Sequence, residues 1–104
     1  MIRQDIDVDG YWKVIVVYDA PLGNRDVGFT YTDPEKRTSM VGIAATSSQG
    51  ELLNTIVHEA KHVQSHICDY YNVPEDGEQA AYLIGFLVQN MHKVFKHMIS
   101  TGTE

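Results

Sequence analysis

The stretch that decides the fold is residues 48–70, SQGELLNTIVHEAKHVQSHICDY. Ser48 and Glu51 have the spacing of a capping box, in which each side chain bonds to the other residue's backbone N–H at the start of a helix. Apolar residues then recur at the three- and four-residue intervals of one helix face. They are Leu52, Leu53, Ile56, Val57, Ala60, Val63 and Ile67. The pattern predicts an amphipathic helix from near Ser48 to about Tyr70.

A second long helix is predicted after Asn72-Val73-Pro74-Glu75, where the proline falls early in the first turn. Its apolar positions are Ala80, Leu83, Ile84, Leu87, Val88, Met91, Val94, Phe95 and Met98. The first half of the chain instead contains segments rich in β-branched and aromatic residues, which are typical of strands. These are Tyr11–Tyr18, Val27–Thr32 and Thr38–Thr46. Strands followed by helices predict one α+β domain over residues 1–104, with an antiparallel or mixed sheet of about three strands.

Composition narrows the functional classes. The 104 residues fit a single domain, and fourteen acidic against eight basic residues give a net charge of −6 at pH 7. An acidic chain without a Lys/Arg cluster is a poor partner for a phosphate backbone, so nucleic acid is not expected. The single cysteine, Cys68, excludes an internal disulfide. Neither a signal-peptide pattern nor an apolar run of membrane-spanning length is present, so we expect a cytoplasmic protein without a membrane partner.

His58-Glu59-Ala60-Lys61-His62, inside the first predicted helix, is an H-E-x-x-H motif. Residues i and i+4 lie about 40° apart on one helix face, so two imidazoles can converge on one zinc ion. Glu59 lies roughly 100° from His58 around the helix, where it can act as general base for a zinc-bound water. The alternative is that both histidines are solvated and Glu59 makes a surface contact.

A catalytic zinc ion needs a third protein ligand, and Glu78 is the candidate. It opens the second helix sixteen residues after His62, and a tight connection would bring it back alongside the first helix. Tyr82 follows one turn later on the same face. The alternative is that Glu78 is only an acidic side chain that the helix dipole stabilises in a first turn.

The motif His58-Glu59-x-x-His62 with a downstream helical Glu resembles the gluzincin zinc metallopeptidases. The short chain, with a small sheet before two helices, is most similar to the mini-gluzincins and to compact phage and mobile-element metallopeptidases. The resemblance covers about residues 38–90. It implies zinc as the cofactor, a peptide or protein substrate, and Glu59 as general base and acid. The zinc ligands that it implies are His58, His62 and Glu78.

The same resemblance implies where a substrate would lie. The strand before the motif, Thr38–Thr46, would border the cleft as an edge strand and pair with the peptide backbone near Val41 to Ala45. A Tyr or His near the metal would stabilise the oxyanion. Tyr82 is the first candidate for that role, and the next candidates are Tyr70, Tyr71 and His66.

Three further residue patterns have metal-binding alternatives. Cys68 lies ten residues after His58, where a metzincin has its third ligand, but Ser65 replaces the glycine which that family needs there. We therefore expect Cys68 to be a buried thiol. His66, one turn beyond His62, is the second pattern, and we expect it to lie at the rim of the site because one helix does not bring three such histidines onto one ion.

The third pattern, Asp5-Ile6-Asp7-Val8-Asp9-Gly10, begins like an EF-hand loop. Val16 occupies the position of the bidentate Glu, so a hairpin turn is the better interpretation.

Two functions follow from these residues. The first is a small zinc metallopeptidase, with activity that is weak or narrow because so short a chain has little protein for specificity pockets. The alternative is a non-catalytic metal-binding interaction domain on a peptidase-like scaffold, which would need the ligands but not Glu59. Apolar residues late in the second helix would serve the core or self-association into a homo-oligomer; they are Met91, Phe95 and Met98.

Overall fold

The four strands precede the two helices along the chain. The computed structural model describes residues 2–19, 27–45 and 48–94. The strands are β1 (Ile2–Val8), β2 (Trp12–Tyr18), β3 (Gly28–Asp33) and β4 (Thr38–Ile43). The helices are α1 (Gln49–Tyr71) and α2 (Glu78–Met91), and a short 3-10 turn (His92–Val94) follows them. The predicted α+β order is confirmed, and β1 adds a fourth strand to the three predicted.

The acidic run near the N-terminus is a strand and a hairpin turn. β1 and β2 pair antiparallel, with Val8 opposite Trp12. Asp9 and Gly10 in the turn have φ angles of 50° and 79°, which Asp and Gly accept more readily than most residues. The Gly10 N–H donates to Asp7 Oδ1 at 3.2 Å. The hairpin interpretation of the EF-hand-like pattern is therefore confirmed.

The order of the strands determines which two of them, β1 and β3, lie at the edges of the described sheet. The sheet runs β1-β2-β4-β3, with β2 and β4 parallel and β3 antiparallel to β4. The expectation that Thr38–Thr46 is an edge strand is wrong, because β4 is paired on both sides. Val41 and Ile43 of β4 are fully buried, whereas the half-buried face of β3 carries Thr30 and Thr32. The more apolar strand thus takes the central position.

Both helices cover the same face of the sheet, and their buried side chains join those of the strands in one core. Its members are Ile6, Val8, Trp12, Val14, Val16, Tyr18, Val41, Ile43, Leu52, Ile56, Ala60, Val63, Ile67, Cys68, Ala80, Leu83, Leu87 and Met91. The opposite face of the sheet exposes Phe29, Tyr31 and Met40. None of the helices in the described ranges is sufficiently long and apolar to cross a lipid bilayer.

Helix α1 has the predicted start and end. The Ser48 side chain accepts the Glu51 N–H at 3.2 Å, as the capping-box spacing indicates. The helix ends at Tyr71 because Asn72 adopts a left-handed conformation with φ 58°. The backbone N–H of Val73 then donates to the carbonyl of the last helical turn, at Cys68, over 2.8 Å.

Helix α2 begins later than predicted. The Gly77 N–H donates to the Pro74 carbonyl at 3.3 Å, so the residues around Pro74 form a turn and not a first helical turn. Gly77 caps the helix, which starts at Glu78 and ends at Met91. The predicted extension to Met98, including Phe95, lies outside the described residues.

The C-terminal end of α2 is tied to the sheet by two side chains. The Tyr18 hydroxyl donates to the backbone carbonyl of Met91, and Gln4 Nε2 donates to the carbonyl of Asn90 at 2.8 Å. These bonds satisfy carbonyls that a helix end leaves without an intrahelical partner. Burial raises the pKa of the Tyr18 phenol, because the charged form loses its hydration.

Replacing Tyr18 with Phe should lower the free energy of unfolding by about 1–3 kcal/mol, because a buried carbonyl loses its donor. Urea unfolding followed by circular dichroism measures this change. The matched control is Tyr31→Phe, since Tyr31 is 67% exposed on the other face of the sheet. Equal effects of the two substitutions would contradict the anchoring role of Tyr18.

Candidate functional site

The two histidines of the motif lie side by side on the exposed face of α1. The distance between His58 Nε2 and His62 Nε2 is 3.2 Å. Their ring centroids are 4.8 Å apart and the ring planes cross at 73°. The helical i, i+4 spacing thus directs two ring nitrogens toward one point, as the sequence predicted.

This separation of the ring nitrogens fits a single zinc ion. A tetrahedral zinc with Zn–N bonds of about 2.0–2.1 Å holds two nitrogen ligands roughly 3.3–3.4 Å apart. The observed 3.2 Å is close to that span. The same contact forms an N–H···N hydrogen bond when one ring nitrogen carries the proton. Both imidazoles can therefore bind one metal ion with little movement.

Glu59 lies on the adjacent flank of α1, beneath strand β3. Its side chain is buried, with 4% of the residue's surface exposed. The Thr30 hydroxyl donates to Glu59 Oε1 at 2.7 Å. The alternative interpretation of Glu59 as a surface contact is therefore wrong. A buried carboxylate is costly unless it is hydrogen-bonded, and β3 supplies that bond.

Gly28 allows β3 to lie close to the Glu59 carboxylate. A Cβ atom on Gly28 would be 2.9 Å from Glu59 Oε2 and 2.9 Å from the methyl group of Thr55. Both distances are shorter than ordinary van der Waals contact. The absence of a side chain at Gly28 is thus what leaves room for Glu59.

In the described part of the chain, strand β3 is an edge strand of the sheet, with β4 as its neighbour on one side. The Val27 carbonyl accepts the Ala44 N–H at 3.0 Å, so it faces the chain that continues β4. Backbone groups alternate in direction along an antiparallel strand. The N–H and C=O groups of Gly28, Thr30 and Thr32 therefore face away from β4, while the side chains of Thr30 and Thr32 face α1.

His66, one turn beyond His62, is held by a chain of hydrogen bonds from the core. Trp12 Nε1 donates to Ser39 Oγ at 3.1 Å, Ser39 Oγ lies 2.8 Å from Thr32 Oγ1, and Thr32 Oγ1 lies 2.6 Å from His66 Nδ1. Ser39 is fully buried, and Thr32 is the acceptor within reach of its hydroxyl proton. When the Thr32 hydroxyl donates to His66 Nδ1, the neutral imidazole carries its proton on Nε2 and can donate from that atom.

Glu78 and Tyr82 lie away from the histidine pair. Both side chains are exposed, and they line a cavity of about 620 Å³ between α2, the C-terminal half of α1 and the β1–β2 turn. The α1 residues at this cavity are on roughly the opposite side of the helix from the histidine pair; they are Ile67, Cys68 and Tyr71. Within residues 2–19, 27–45 and 48–94, no group of three or more His, Cys, Asp or Glu side chains is arranged to hold a metal ion. The structure thus brings two of the three predicted ligands together.

The other residues considered from the sequence serve packing. Cys68 is a buried free thiol, and burial raises its pKa because the thiolate is poorly hydrated there. Tyr70 and Tyr71 make edge-to-face contacts with Trp12, with ring centroids 5.5 and 6.1 Å away. The Tyr71 hydroxyl donates to the Tyr11 carbonyl at 3.1 Å. The structure brings none of the three side chains to the histidine pair.

Sequence reasoning missed the residues of β3 that support the site, namely Gly28, Thr30 and Thr32. The signal was present: Gly28, Thr30 and Thr32 alternate with Phe29 and Tyr31, so one face of the strand carries only small or hydroxyl side chains. Such a face is unsuited to an apolar core and indicates polar partners on the element that covers it.

Substituting Thr30 with Val should lower the free energy of unfolding by about 1–3 kcal/mol, because the buried Glu59 carboxylate loses its donor. Chemical denaturation at neutral pH measures the effect. Thr38→Val is the matched control, since the Thr38 hydroxyl bonds to an exposed turn carbonyl in the same sheet. A loss no larger than that of the control would show that the bond to Glu59 is unimportant.

Comparison of the chain with protein families, with curated proteins and with solved structures finds no match.

Proposed function

We propose that this chain is a small zinc-dependent peptidase. The observation that carries the proposal is the 3.2 Å separation of His58 Nε2 and His62 Nε2 on an exposed helix face, with the buried carboxylate of Glu59 on the adjoining flank. His58 and His62 would hold the zinc ion, and the bound ion would supply Lewis-acid chemistry for a scissile carbonyl and for water.

Glu59 is the proposed general base and acid. It accepts a proton from the attacking water and passes it to the leaving amine. The Thr30 hydroxyl fixes the orientation of the carboxylate through Oε1. Because the Thr30 hydroxyl bonds to it, the carboxylate is held in place before substrate binds.

The substrate peptide is proposed to lie along β3. The outward backbone groups of Gly28, Thr30 and Thr32 can pair with an extended peptide, as an added strand. Thr30 then holds Glu59 with its side chain and the peptide with its backbone. Leu53 and Val57 line a shallow second cavity beside His58, which favours an apolar side chain in the substrate.

His66 is the proposed donor for the oxyanion. His66 lies on the helix face that carries the histidine pair, and its Nδ1 is 2.6 Å from the Thr32 hydroxyl oxygen. When that hydroxyl donates to Nδ1, the Nε2–H group can donate to the oxyanion. Tyr82, the residue expected from the resemblance to fill this role, is 71% exposed on α2 at the separate cavity. His66 is therefore the better supported of the two.

The third zinc ligand stays a prediction, and metal content tests it. Purified protein supplied with zinc should hold about one zinc per chain in elemental mass spectrometry, and His62→Ala should lose it. If Glu78 is a ligand, Glu78→Ala also loses the metal. Retention of zinc by Glu78→Ala would exclude Glu78 as a ligand and leave the peptidase proposal standing. No zinc in the unsubstituted protein would refute the proposal.

The mechanism is tested by Glu59→Gln. This variant should retain zinc, but its rate of peptide hydrolysis should fall at least about a hundredfold, because the amide cannot accept the proton. Cleavage of a peptide library followed by mass spectrometry provides the rate. Glu35→Gln in the exposed β3–β4 turn is the control of equal charge change. Unchanged cleavage by Glu59→Gln would contradict the assigned role.

The non-catalytic interaction domain remains the second candidate. The observation that favours it is the position of Glu78, which does not join the two histidines in the described part of the chain. A protein that binds zinc but cleaves no peptide of the library, while still binding extended peptides, would have this function.

A further inference from the structure

The cavity that contains Glu78 is a separate feature of the molecule. It lies between the β1–β2 turn, the C-terminal half of α1 and the first turns of α2, with a volume of about 620 Å³. That volume falls within the range of about 300–1,000 Å³ that small-molecule sites occupy. Much of its lining is apolar, from Val8, Ile67, Val73, Leu83 and Phe86.

Two carboxylates line the cavity, Asp9 from the β1–β2 turn and Glu78 from the start of α2. Among the residues that the structure describes, no Lys, Arg or His lines it. Among the residues that the structure describes, the ion pairs are Arg3 with Asp5, Lys13 with Asp5 and Lys61 with Glu75. Neither cavity carboxylate therefore has a cationic partner in that part of the chain.

Lys61 of α1 is already engaged by residues that do not line the cavity. Lys61 Nζ donates to Gln64 Oε1 at 2.7 Å and to Glu75 Oε2 at 3.3 Å. Glu75 is also bound by the Ser65 hydroxyl at 3.1 Å. These bonds, together with the positive charge of Lys61, lower the pKa of Glu75 and keep it ionised. Lys61 therefore does not neutralise the cavity.

Aromatic rings complete the lining. Tyr11 and Tyr71 meet edge to face with centroids 5.3 Å apart, and Tyr82 stands at the cavity with most of its surface exposed. Burial raises the pKa of Tyr11, and the negative charge of Asp9 raises it further. The faces of such rings attract cations. Ring faces and carboxylates thus favour the same sign of charge.

We propose that this cavity binds an amphipathic amine, with the ammonium group between the carboxylates of Asp9 and Glu78 and the apolar body against Ile67, Leu83 and Phe86. Carboxylates and tyrosine rings recognise the cation, and the apolar lining recognises the body. The site is distinct from the histidine pair, because its α1 residues lie on other faces of the helix. Its ligand therefore binds without metal.

Three probes that share one apolar body test the recognition of charge. These are 4-phenylbutylamine, 4-phenyl-1-butanol and 4-phenylbutyrate, titrated by isothermal calorimetry in the presence of EDTA. The amine should bind most tightly and lose affinity as salt rises, and the carboxylate should bind most weakly. Equal affinity for the three probes, or no amine binding at millimolar concentration, would overturn the proposal.

Charge-removing variants locate the ammonium group. Asp9→Asn preserves the turn, because Asn tolerates the φ angle of 50° found there. Asp9→Asn and Glu78→Gln should each weaken amine binding by roughly two- to fivefold, as expected for exposed ion pairs. The control Glu35→Gln should leave it unchanged. Amine binding that survives the double substitution Asp9→Asn/Glu78→Gln undiminished would contradict the assignment.

A cysteine placed in the lining reports occupancy directly. Gln79 lines the cavity and is exposed, whereas Cys68 is buried, so Gln79→Cys supplies a thiol that N-ethylmaleimide can reach. Bound amine should slow alkylation of this thiol, whereas 4-phenylbutyrate should not. Amine binding without protection of the thiol in Gln79→Cys would place the ligand elsewhere and refute the site. A parallel titration with the capped dipeptide acetyl-Phe-Lys-amide distinguishes a lysine side chain from a free amine as the source of the same chemistry. Protection by either probe supports the proposal.

Discussion

Helix α1 packs against strands β3 and β4 of the sheet and against helix α2. The rest of the structure depends on which face of α1 makes each of these contacts. The apolar stripe faces the sheet, one flank lies beneath β3, and the other flank holds the start of α2. The bond from Thr30 to Glu59 fixes the first flank, and the bond from Gln64 Nε2 to the Ala80 carbonyl, at 3.1 Å, fixes the second. With these faces occupied, His58 and His62 remain on the exposed face.

The local structure of the chain could be predicted because its signals are local. Ser48 and Glu51 mark the start of α1, and Asn72 ends it within a residue or two of the expected position. The pairing order of the strands could not be predicted in the same way. Hydrophobic alternation assigns a strand two faces but does not choose its neighbours. The sequence therefore predicts β4 at an edge of the sheet, where the structure has β3.

The histidine pair of the site could be predicted because its signal is also local. An i, i+4 pair on one helix fixes the relation of His58 to His62, so their convergence follows from the sequence alone. The burial of Glu59 depends on β3, which is distant in sequence. Residue spacing also indicates that α2 returns antiparallel to α1, but it does not say on which flank. The contact from Gln64 to Ala80 sets that flank, and it directs Glu78 toward the cavity.

X-ray absorption at the zinc edge of the zinc-loaded protein tests the central claim most directly. The account predicts two imidazole ligands at about 2.0–2.1 Å, oxygen in the remaining positions and no sulfur. Loss of the imidazole signal in His62→Ala would agree with this assignment. A sulfur neighbour at about 2.3 Å, or a spectrum without imidazole, would contradict it.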